Sequence, residues 1–249
     1  MKPKIGRTIS VILFSLGVLL GLLLAGSFIW AHLELPLYFD YDFTSIKSDN
    51  QEYSKLICPY MLTTPETGQI SVKIPNTADK SIDVSFLAHI SYLGGAARQL
   101  ELTSTIPVGG SRDLKFEVNA QDVFYNYFIL VKTYQYPTYK TPSRMGSCAI
   151  LLVPLTFLTG DQVLIISILL LGFFLLTGIF LWIKFNRPLR GMTRNALNAM
   201  TLLAILLAVA FYTGLAGWWV PGVLLLAVVV LQIFVAFSHF SSGFRDDRE

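Results

Sequence analysis

The sequence predicts an α+β membrane protein with four transmembrane helices and one extracytoplasmic β-sandwich, inserted between the first and second helices. Three observations predict this architecture. Only 14% of the 249 residues are charged and 53% are hydrophobic, whereas soluble domains carry about 25% charged residues. The apolar residues are gathered into long uncharged stretches. Between the first two stretches lies a more polar segment, residues 33–161, in which polar and apolar residues alternate as they do in β-strands.

The transmembrane helices are predicted from stretches without Asp, Glu, Lys or Arg, which cover residues 9–31, 163–183 and 196–244. A helix of about 20 apolar residues spans a bilayer, so the third stretch is long enough for two crossings. It is expected to turn at TGLAGWWVPG, residues 213–222, where three glycines and a proline interrupt the apolar run. The predicted helices are 8–32, 162–184, 195–213 and 220–240. The chain is accordingly divided into an N-terminal stub with the first helix at 1–32, the β-sandwich at 33–161, the second helix at 162–184, a basic loop at 185–194, a helical hairpin at 195–240 and a tail at 241–249.

The distribution of Lys and Arg predicts the orientation in the membrane. The stretch KFNRPLRGMTRN contributes Lys184, Arg187, Arg190 and Arg194 and contains no acidic residue. Because short cytoplasmic loops carry an excess of Lys and Arg, we interpret these four residues as topology-setting. Both termini are then cytoplasmic and residues 33–161 are extracytoplasmic. Binding of anionic lipid headgroups is an alternative role for the same loop.

A cleaved signal peptide ending near AGS, residues 25–27, is an alternative for the first apolar stretch. That stretch is longer than the usual signal-peptide core of about 7–15 residues, which favours an uncleaved anchor. Residues 33–161 contain no N-x-S/T glycosylation motif, which favours a prokaryotic origin for this integral cell-membrane protein.

Several segments of the extracytoplasmic region are predicted to be strands. In SIDVSFLAHISY, residues 81–92, apolar side chains alternate with polar neighbours at every position but one, which is the pattern of a strand with one buried face. ISVKI and LKFEV repeat the pattern, and YNYFILVKTY and SCAILLV predict two further strands. Their order resembles an immunoglobulin-like or fibronectin-type sandwich. The placement after the first of four helices also resembles claudin-type proteins, whose W-G-L-W signature is missing here, so no junction role is assigned.

Cys58 and Cys148 are the two cysteines of the chain and lie near the two ends of the predicted sandwich. Disulfides persist on the non-cytoplasmic side of a membrane, and the first and last strands of a sandwich are often neighbours. The sequence therefore predicts a Cys58–Cys148 bridge, which would contribute roughly 4–5 kcal/mol on the chain-entropy model. Two buried free thiols are the alternative.

The sequence predicts no catalytic, cofactor-binding or metal-binding residues. The three histidines are far apart along the chain, and none has a Cys or carboxylate at a metal-ligand spacing beside it. G-x-S-x-G, H-E-x-x-H and P-loop motifs are absent. Asp40 and Asp42 form a D-x-D pair within LYFDYDF, residues 37–43, which we interpret as an aromatic girdle just outside the first helix.

A stripe of small residues in the first helix predicts close helix packing. Gly17, Gly21 and Ala25 recur every four residues, so they share one helical face and allow another helix to approach closely. That helix belongs either to this chain or to a partner.

Uncharged polar residues in the last two helices predict interhelical hydrogen bonds. Asn198, Thr201 and Gln232 are the main polar groups there, and such side chains join helices in membranes. A polar substrate path is the alternative role.

The segment TYQYPTYK, residues 133–140, is predicted to bind a partner. It would expose Tyr134, Tyr136 and Tyr139 around Pro137, and tyrosines offer large contact area at low entropic cost. The alternative is a strand end whose tyrosines pack on the sandwich or touch lipid.

Together these features predict a non-catalytic integral membrane interaction protein. It would be an accessory or scaffold subunit of a larger membrane complex and would bind a protein or envelope partner through its extracytoplasmic sandwich. The predicted partners are membrane lipid and other membrane-protein subunits, without nucleic acid, small-molecule substrate or cofactor. The first alternative is a transporter or channel component with a path lined by Asn198, Thr201 and Gln232. A membrane enzyme acting on lipid or glycan is disfavoured because His, Cys and carboxylates are not clustered.

Overall fold

The computed structural model describes residues 3–43, 51–52, 56–92, 97–138 and 143–243. The chain forms two compact units. The first, which we call the helical unit, consists of two segments of the chain, one up to Trp30 and one from Ile165 onward. The second, which we call the β-unit, spans Ala31–Leu164.

The described residues contain four helices that are long and apolar enough to cross a membrane. They are α1 (Pro3–Phe43), α2 (Gly160–Phe185), α3 (Met192–Leu215) and α4 (Trp219–Gly243). Helices α3 and α4 are separated by a turn inside the predicted break, where the Trp218 amide donates to the Thr213 carbonyl at 2.9 Å. The α+β class with four candidate membrane spans is therefore confirmed.

Helix α1 is longer than predicted. Its 41 residues extend about 60 Å at 1.5 Å per residue, well past the expected end near residue 32. The last turns belong to the β-unit, where Ala31, Leu35 and Phe39 bury one helical stripe against residues of the sheet that include Phe128. Phe39 is 0% exposed, so the predicted lipid-facing girdle is wrong at this residue, which is part of a protein core.

The described part of the β-unit contains nine strands in two sheets. The strands are β1 (Gln51–Glu52), β2 (Leu56–Ile57), β3 (Met61–Thr63), β4 (Gly68–Pro75), β5 (Ile82–Ile90), β6 (Arg98–Ile106), β7 (Ser111–Val118), β8 (Phe128–Gln135) and β9 (Arg144–Val153). The large sheet has the order β1-β9-β8-β5-β6, with β3 also paired to β9, and the small sheet has the order β2-β4-β7. Strands β1 and β3 run parallel to β9, and the remaining pairs are antiparallel.

The two sheets enclose a common apolar core. Alternate residues of β5 from Ile82 to Ile90 are at most 2% exposed, which confirms the alternation seen in SIDVSFLAHISY. The ring of Phe86 in the large sheet lies 6.2 Å from the ring of Phe116 in the small sheet, so the core includes side chains from both.

The start of α2 distinguishes the two ends of the β-unit. Gly160 packs against the main chain of Met61 in β3, and a Cβ at Gly160 would overlap the Met61 carbonyl. Strand β3 pairs with the last residues of β9, which pair in turn with the first residues of β8. We call this the helix-proximal end. The opposite end, where β8 finishes and β9 starts, is the distal end.

Candidate interaction surfaces

A disulfide joins the two sheets of the β-unit. Cys58 directly follows β2 of the small sheet and Cys148 lies in β9 of the large sheet, with an S–S distance of 2.07 Å and a Cα–Cα distance of 6.6 Å. This is the pairing that the sequence predicts. Both residues also pack against the common core, so the bridge fixes one sheet against the other.

Two of the three predicted partner-binding tyrosines, Tyr134 and Tyr136, lie at the distal end and differ in exposure. Tyr134 is 2% exposed, so its predicted exposure is wrong. It lies in β8, a strand that is buried on both faces. Tyr136 and Pro137 follow the end of β8 and are exposed, whereas Tyr139 lies outside the described residues.

The exposed Tyr136 is held in place by its neighbours. Its ring contacts the ring of Tyr134 edge-on, with centroids 5.0 Å apart and an interplanar angle of 86°. Its amide donates to the Ser85 carbonyl at 3.0 Å. Tyr134 therefore supports the exposed aromatic side chain and is not itself the contact surface.

A carboxylate binds the start of α2 at the helix-proximal end. Glu66 Oε2 accepts hydrogen bonds from the Gly160 amide at 2.8 Å, the Thr63 amide at 3.1 Å and the Thr63 hydroxyl at 3.3 Å. The first amides of a helix have no partner within the helix, and negative charge is favourable there. Glu66 therefore caps α2 from a distant turn. No pattern local to α2 could have predicted this contact, because the two residues are far apart in sequence.

The small-residue stripe of α1 packs against other helices of the same chain. A Cβ at Gly17 would contact Leu175 of α2 at 2.9 Å. At Gly21 it would overlap the side chain of Leu207 of α3, and Ala25 is fully buried. Of the two expected roles of the stripe, the described structure therefore shows packing within the chain.

A glycine of α2 that sequence analysis did not single out makes the α1–α2 contact especially close. A Cβ at Gly178 would lie 2.8–3.0 Å from the Cβ, N and Cα atoms of Phe14. At the same level the Ser10 hydroxyl donates to the Gly178 carbonyl at 2.7 Å. Gly172 of the same helix has open space at its Cα, so a glycine in the sequence does not by itself reveal such a contact.

The polar residues of α3 and α4 do not converge within the chain. Asn198 and Thr201 are exposed on α3, and Gln232 of α4 is half-buried. The Thr201 hydroxyl donates to the Leu197 carbonyl of its own helix at 3.0 Å, so the expected interhelical bond from Thr201 is replaced by a local one. A path through the interior of one chain would need all three side chains to face that interior, and two do not.

The four basic residues predicted to set topology are all exposed. Lys184 lies in the last turn of α2, Arg187 and Arg190 lie in the connection, and Arg194 lies in the first turn of α3. The first turn of α3 is tied to α2 by the Trp182 indole, which donates to the Thr193 carbonyl at 3.1 Å. The cytoplasmic location of these four basic residues stays a prediction.

Residues able to hold a metal ion are not grouped in the part of the chain that the structure describes, where no three His, Cys, Asp or Glu come together. His89 of β5 is only 4% exposed. The side chains of Asp40 and Asp42 fall outside the described set.

No protein-family model matches the sequence, and no curated protein matches it. Solved structures show partial similarity. The alkylpurine DNA glycosylase AlkC of Pseudomonas fluorescens is 18% identical at a TM-score of 0.31, over 39% of this chain and 29% of that one. A β-glucuronidase of Bacteroides uniformis is 14% identical at 0.30, over 38% of this chain and 12% of that one. The CARDB domain of the PF1109 protein of Pyrococcus furiosus is 8% identical at a TM-score of 0.31, over 40% of this chain and 90% of that one.

The chain thus spans less than a third of the length of the first two of these proteins. At such TM-scores the similarities assign neither a fold family nor a function to this protein.

Proposed function

We propose that this protein is a non-catalytic membrane interaction subunit. It binds a protein or envelope partner through the distal end of its β-unit, and its helices join a larger membrane complex as an accessory or scaffold component. The observation that supports this proposal is the ordered, exposed aromatic side chain of Tyr136 at the distal end.

Tyr136 has the properties of an interface residue. It is 39% exposed, yet its main chain is bonded to β5 and its ring rests on a buried ring. A side chain that is already ordered loses little conformational entropy on binding. Tyrosine is also enriched among residues that dominate binding energies. Pro137 beside it adds a rigid exposed surface.

The helical unit supports the proposed membership of a complex. Asn198 places a carboxamide on the exposed face of a candidate membrane span. An amide facing hydrocarbon is unfavourable, and a hydrogen bond to a neighbouring helix compensates for this by about 0.6–2 kcal/mol. A helix from another subunit placed along this face of α3 would supply that bond.

We interpret the β-unit as an immunoglobulin-like sandwich. Strands β2, β4 and β7 take the places of strands A, B and E of such domains, and β5, β8 and β9 take the places of C, F and G. The β-unit differs from a constant-type immunoglobulin domain at β6, which pairs with β5 of the large sheet instead of joining the small sheet. With cytoplasmic termini in the cell membrane, this sandwich is extracytoplasmic, where its disulfide persists.

Site-specific photocrosslinking in native membranes tests the proposal. A benzophenone amino acid replaces Tyr136, and the matched control carries it at Tyr92, a tyrosine of similar exposure (45% against 39%) that follows the other end of β5. We expect one discrete adduct with another membrane or envelope protein from position 136 and none from position 92. Tyr136→Ala should weaken capture of the same partner by about 30-fold, the equivalent of about 2 kcal/mol for an interface hot spot.

Equal adduct patterns at the two positions would contradict a specific distal surface. Adducts formed only between copies of this chain would indicate a homo-oligomer and not an accessory subunit of another complex. Ion flux in liposomes containing the purified protein would then be the next measurement.

A further inference from the structure

The helix-proximal end of the β-unit carries a cluster of exposed aromatic side chains. Tyr60, Tyr125, Tyr127 and Phe157 are 46%, 68%, 60% and 75% exposed. Aromatic rings are usually well buried in water-soluble domains. Tyr125, Tyr127 and Phe157 leave more than half of their surface uncovered by the isolated chain.

Main-chain hydrogen bonds place two of these residues near the start of α2. The Tyr127 carbonyl accepts from the Leu152 amide at 2.7 Å, and the Tyr60 carbonyl accepts from the Leu151 amide at 3.0 Å. Tyr60 directly precedes Met61, whose main chain contacts Gly160. Phe157 lies three residues before the same Gly160. Tyr60, Tyr127 and Phe157 are therefore near the first residue of a candidate membrane span, and Tyr125 lies two residues before Tyr127.

The turn between Phe124 and Phe128 is shaped to present its tyrosines outward. Tyr125 and Asn126 have φ values of 50° and 63°, and the Tyr127 amide donates to the Phe124 carbonyl at 3.2 Å. Two successive residues in the left-handed region define a type I′ turn. Asparagine is common there, but tyrosine is rare. An exposed tyrosine at this position is not explained by the preference of the turn.

We infer that the helix-proximal end of the β-unit lies in the headgroup region of the bilayer, where Tyr125, Tyr127 and Phe157 contact lipid. Aromatic side chains are enriched at the membrane–water interface because one end of the ring system is apolar and the other polar. The polar residues Asp161 and Gln162 come immediately before the uninterrupted apolar run of α2, so the interface crosses the chain at the level of these rings.

The chain continues directly from the aromatic end of the β-unit into the candidate membrane span α2, which favours lipid as the molecule that contacts these rings. Phe157 is separated from Gly160 by two residues, too short a distance for a protein layer to intervene between the ring and the bilayer that α2 enters. The aromatic end is thus a second surface, opposite to the distal end around Tyr136.

Depth-dependent fluorescence quenching on the full-length protein in lipid nanodiscs tests the inference. An NBD maleimide is attached to Phe157→Cys or, separately, to Tyr127→Cys. The two native cysteines are bridged and do not react. The control is Val108→Cys, since Val108 is 58% exposed and lies in the distal turn between β6 and β7. Incorporation of one label per chain verifies that the bridge and the fold are intact.

Doxyl phosphatidylcholine, labelled near the headgroup, is then included in the nanodisc. We expect at least twofold quenching at positions 157 and 127 and less than 20% at position 108. Quenching at both positions equal to that at position 108 overturns the inference. So does a label at 157 that is shielded from aqueous iodide in native membranes but not quenched by doxyl lipid, because a protein then covers the surface. Neither result depends on crosslinking at Tyr136, so failure here is distinct from failure of the proposed function.

Discussion

Removal of the Cys58–Cys148 bridge should destabilise the β-unit by an amount that depends on the membrane anchors. The cysteines are 90 residues apart. For a free chain, a closed loop of that size gives a stabilisation of about 4.6 kcal/mol on the chain-entropy model. The unfolded β-unit is not a free chain, however, because α1 and α2 would still hold its two ends together in the bilayer.

The anchors shorten the effective loop. The turns of α1 after Trp30 and of α2 before Ile165 belong to the β-unit and unfold with it, so the flanking arms run from Trp30 to Cys58 and from Cys148 to Ile165 and total about 45 residues. With both arms tethered, the two paths between the cysteines act in parallel, and the effective loop falls to about 30 residues. The same relation then gives about 3.6 kcal/mol. The difference from the free-chain value is the part of the loop-closure entropy that the membrane already removes.

Pulse proteolysis in urea, applied to the full-length protein in nanodiscs, measures this loss. The oxidised protein is compared with the dithiothreitol-reduced protein and with the Cys58→Ala/Cys148→Ala double variant. At a slope of about 2 kcal/mol per M, we expect the unfolding midpoint to fall by roughly 1.8 M in both cases. The reduced protein is the cleaner comparison, because it retains the sulfur atoms that pack against the core.

Two results would refute this reasoning. A midpoint change below about 0.5 M, or about 1 kcal/mol, would mean that the bridge adds little beyond the other contacts between the sheets. A change above about 2.3 M would match the free-chain value, and would show that α1 and α2 do not constrain the unfolded β-unit.

Three further substitutions test individual contacts. Tyr134→Ala removes a buried ring and should lower the stability of the β-unit by about 3–5 kcal/mol, measured by the same urea titration; a loss under 1 kcal/mol would contradict its supporting role. Glu66→Ala leaves the Gly160 amide without its acceptor and should lose about 2–3 kcal/mol, whereas Glu66→Gln keeps an acceptor oxygen and should lose less; equal losses would show that charge alone matters. Gly178→Ala should destabilise the helical unit by about 1–3 kcal/mol in an SDS titration, and Gly172→Ala should be neutral; indistinguishable variants would argue against close packing at Gly178.

Strands with one buried face were predictable from sequence, and a strand with two buried faces was not. In β5 one face meets the core, so the alternation of Ile82, Val84 and Phe86 with polar residues shows both the strand and its orientation. In β8 the core covers one face and the end of α1 packs against the other near Phe128. The alternation is lost along the strand, so the sequence pattern does not show that Tyr134 is buried. The continuous run FILV was the available signal, since such runs indicate burial on both faces.

The end of α1 illustrates a tertiary contact that overrides local signals. Pro36 lies inside the helix, where proline removes a hydrogen bond and normally favours a break. Hydropathy identified the part of α1 that resembles a membrane span, but the last turns are stabilised by Leu35 and Phe39 against the sheet. A single sequence does not reveal which distant strand will bury that stripe. The Glu66–Gly160 contact escaped prediction for the same reason.

The spacing between the two proposed surfaces limits what kind of partner can bind. Strand β8 runs from Phe128 at the helix-proximal end to Gln135 at the distal end, a length of roughly 24 Å at 3.4 Å per residue. If the helix-proximal end lies among the headgroups, Tyr136 stands up to about that distance from them. A partner consisting only of a transmembrane helix could meet Asn198 on α3 but could not reach Tyr136. A crosslink at Tyr136 therefore requires a partner with a folded portion outside the membrane or a component of the cell envelope. A partner found only at Asn198 would instead move the interaction into the bilayer and leave the distal end without a role in it.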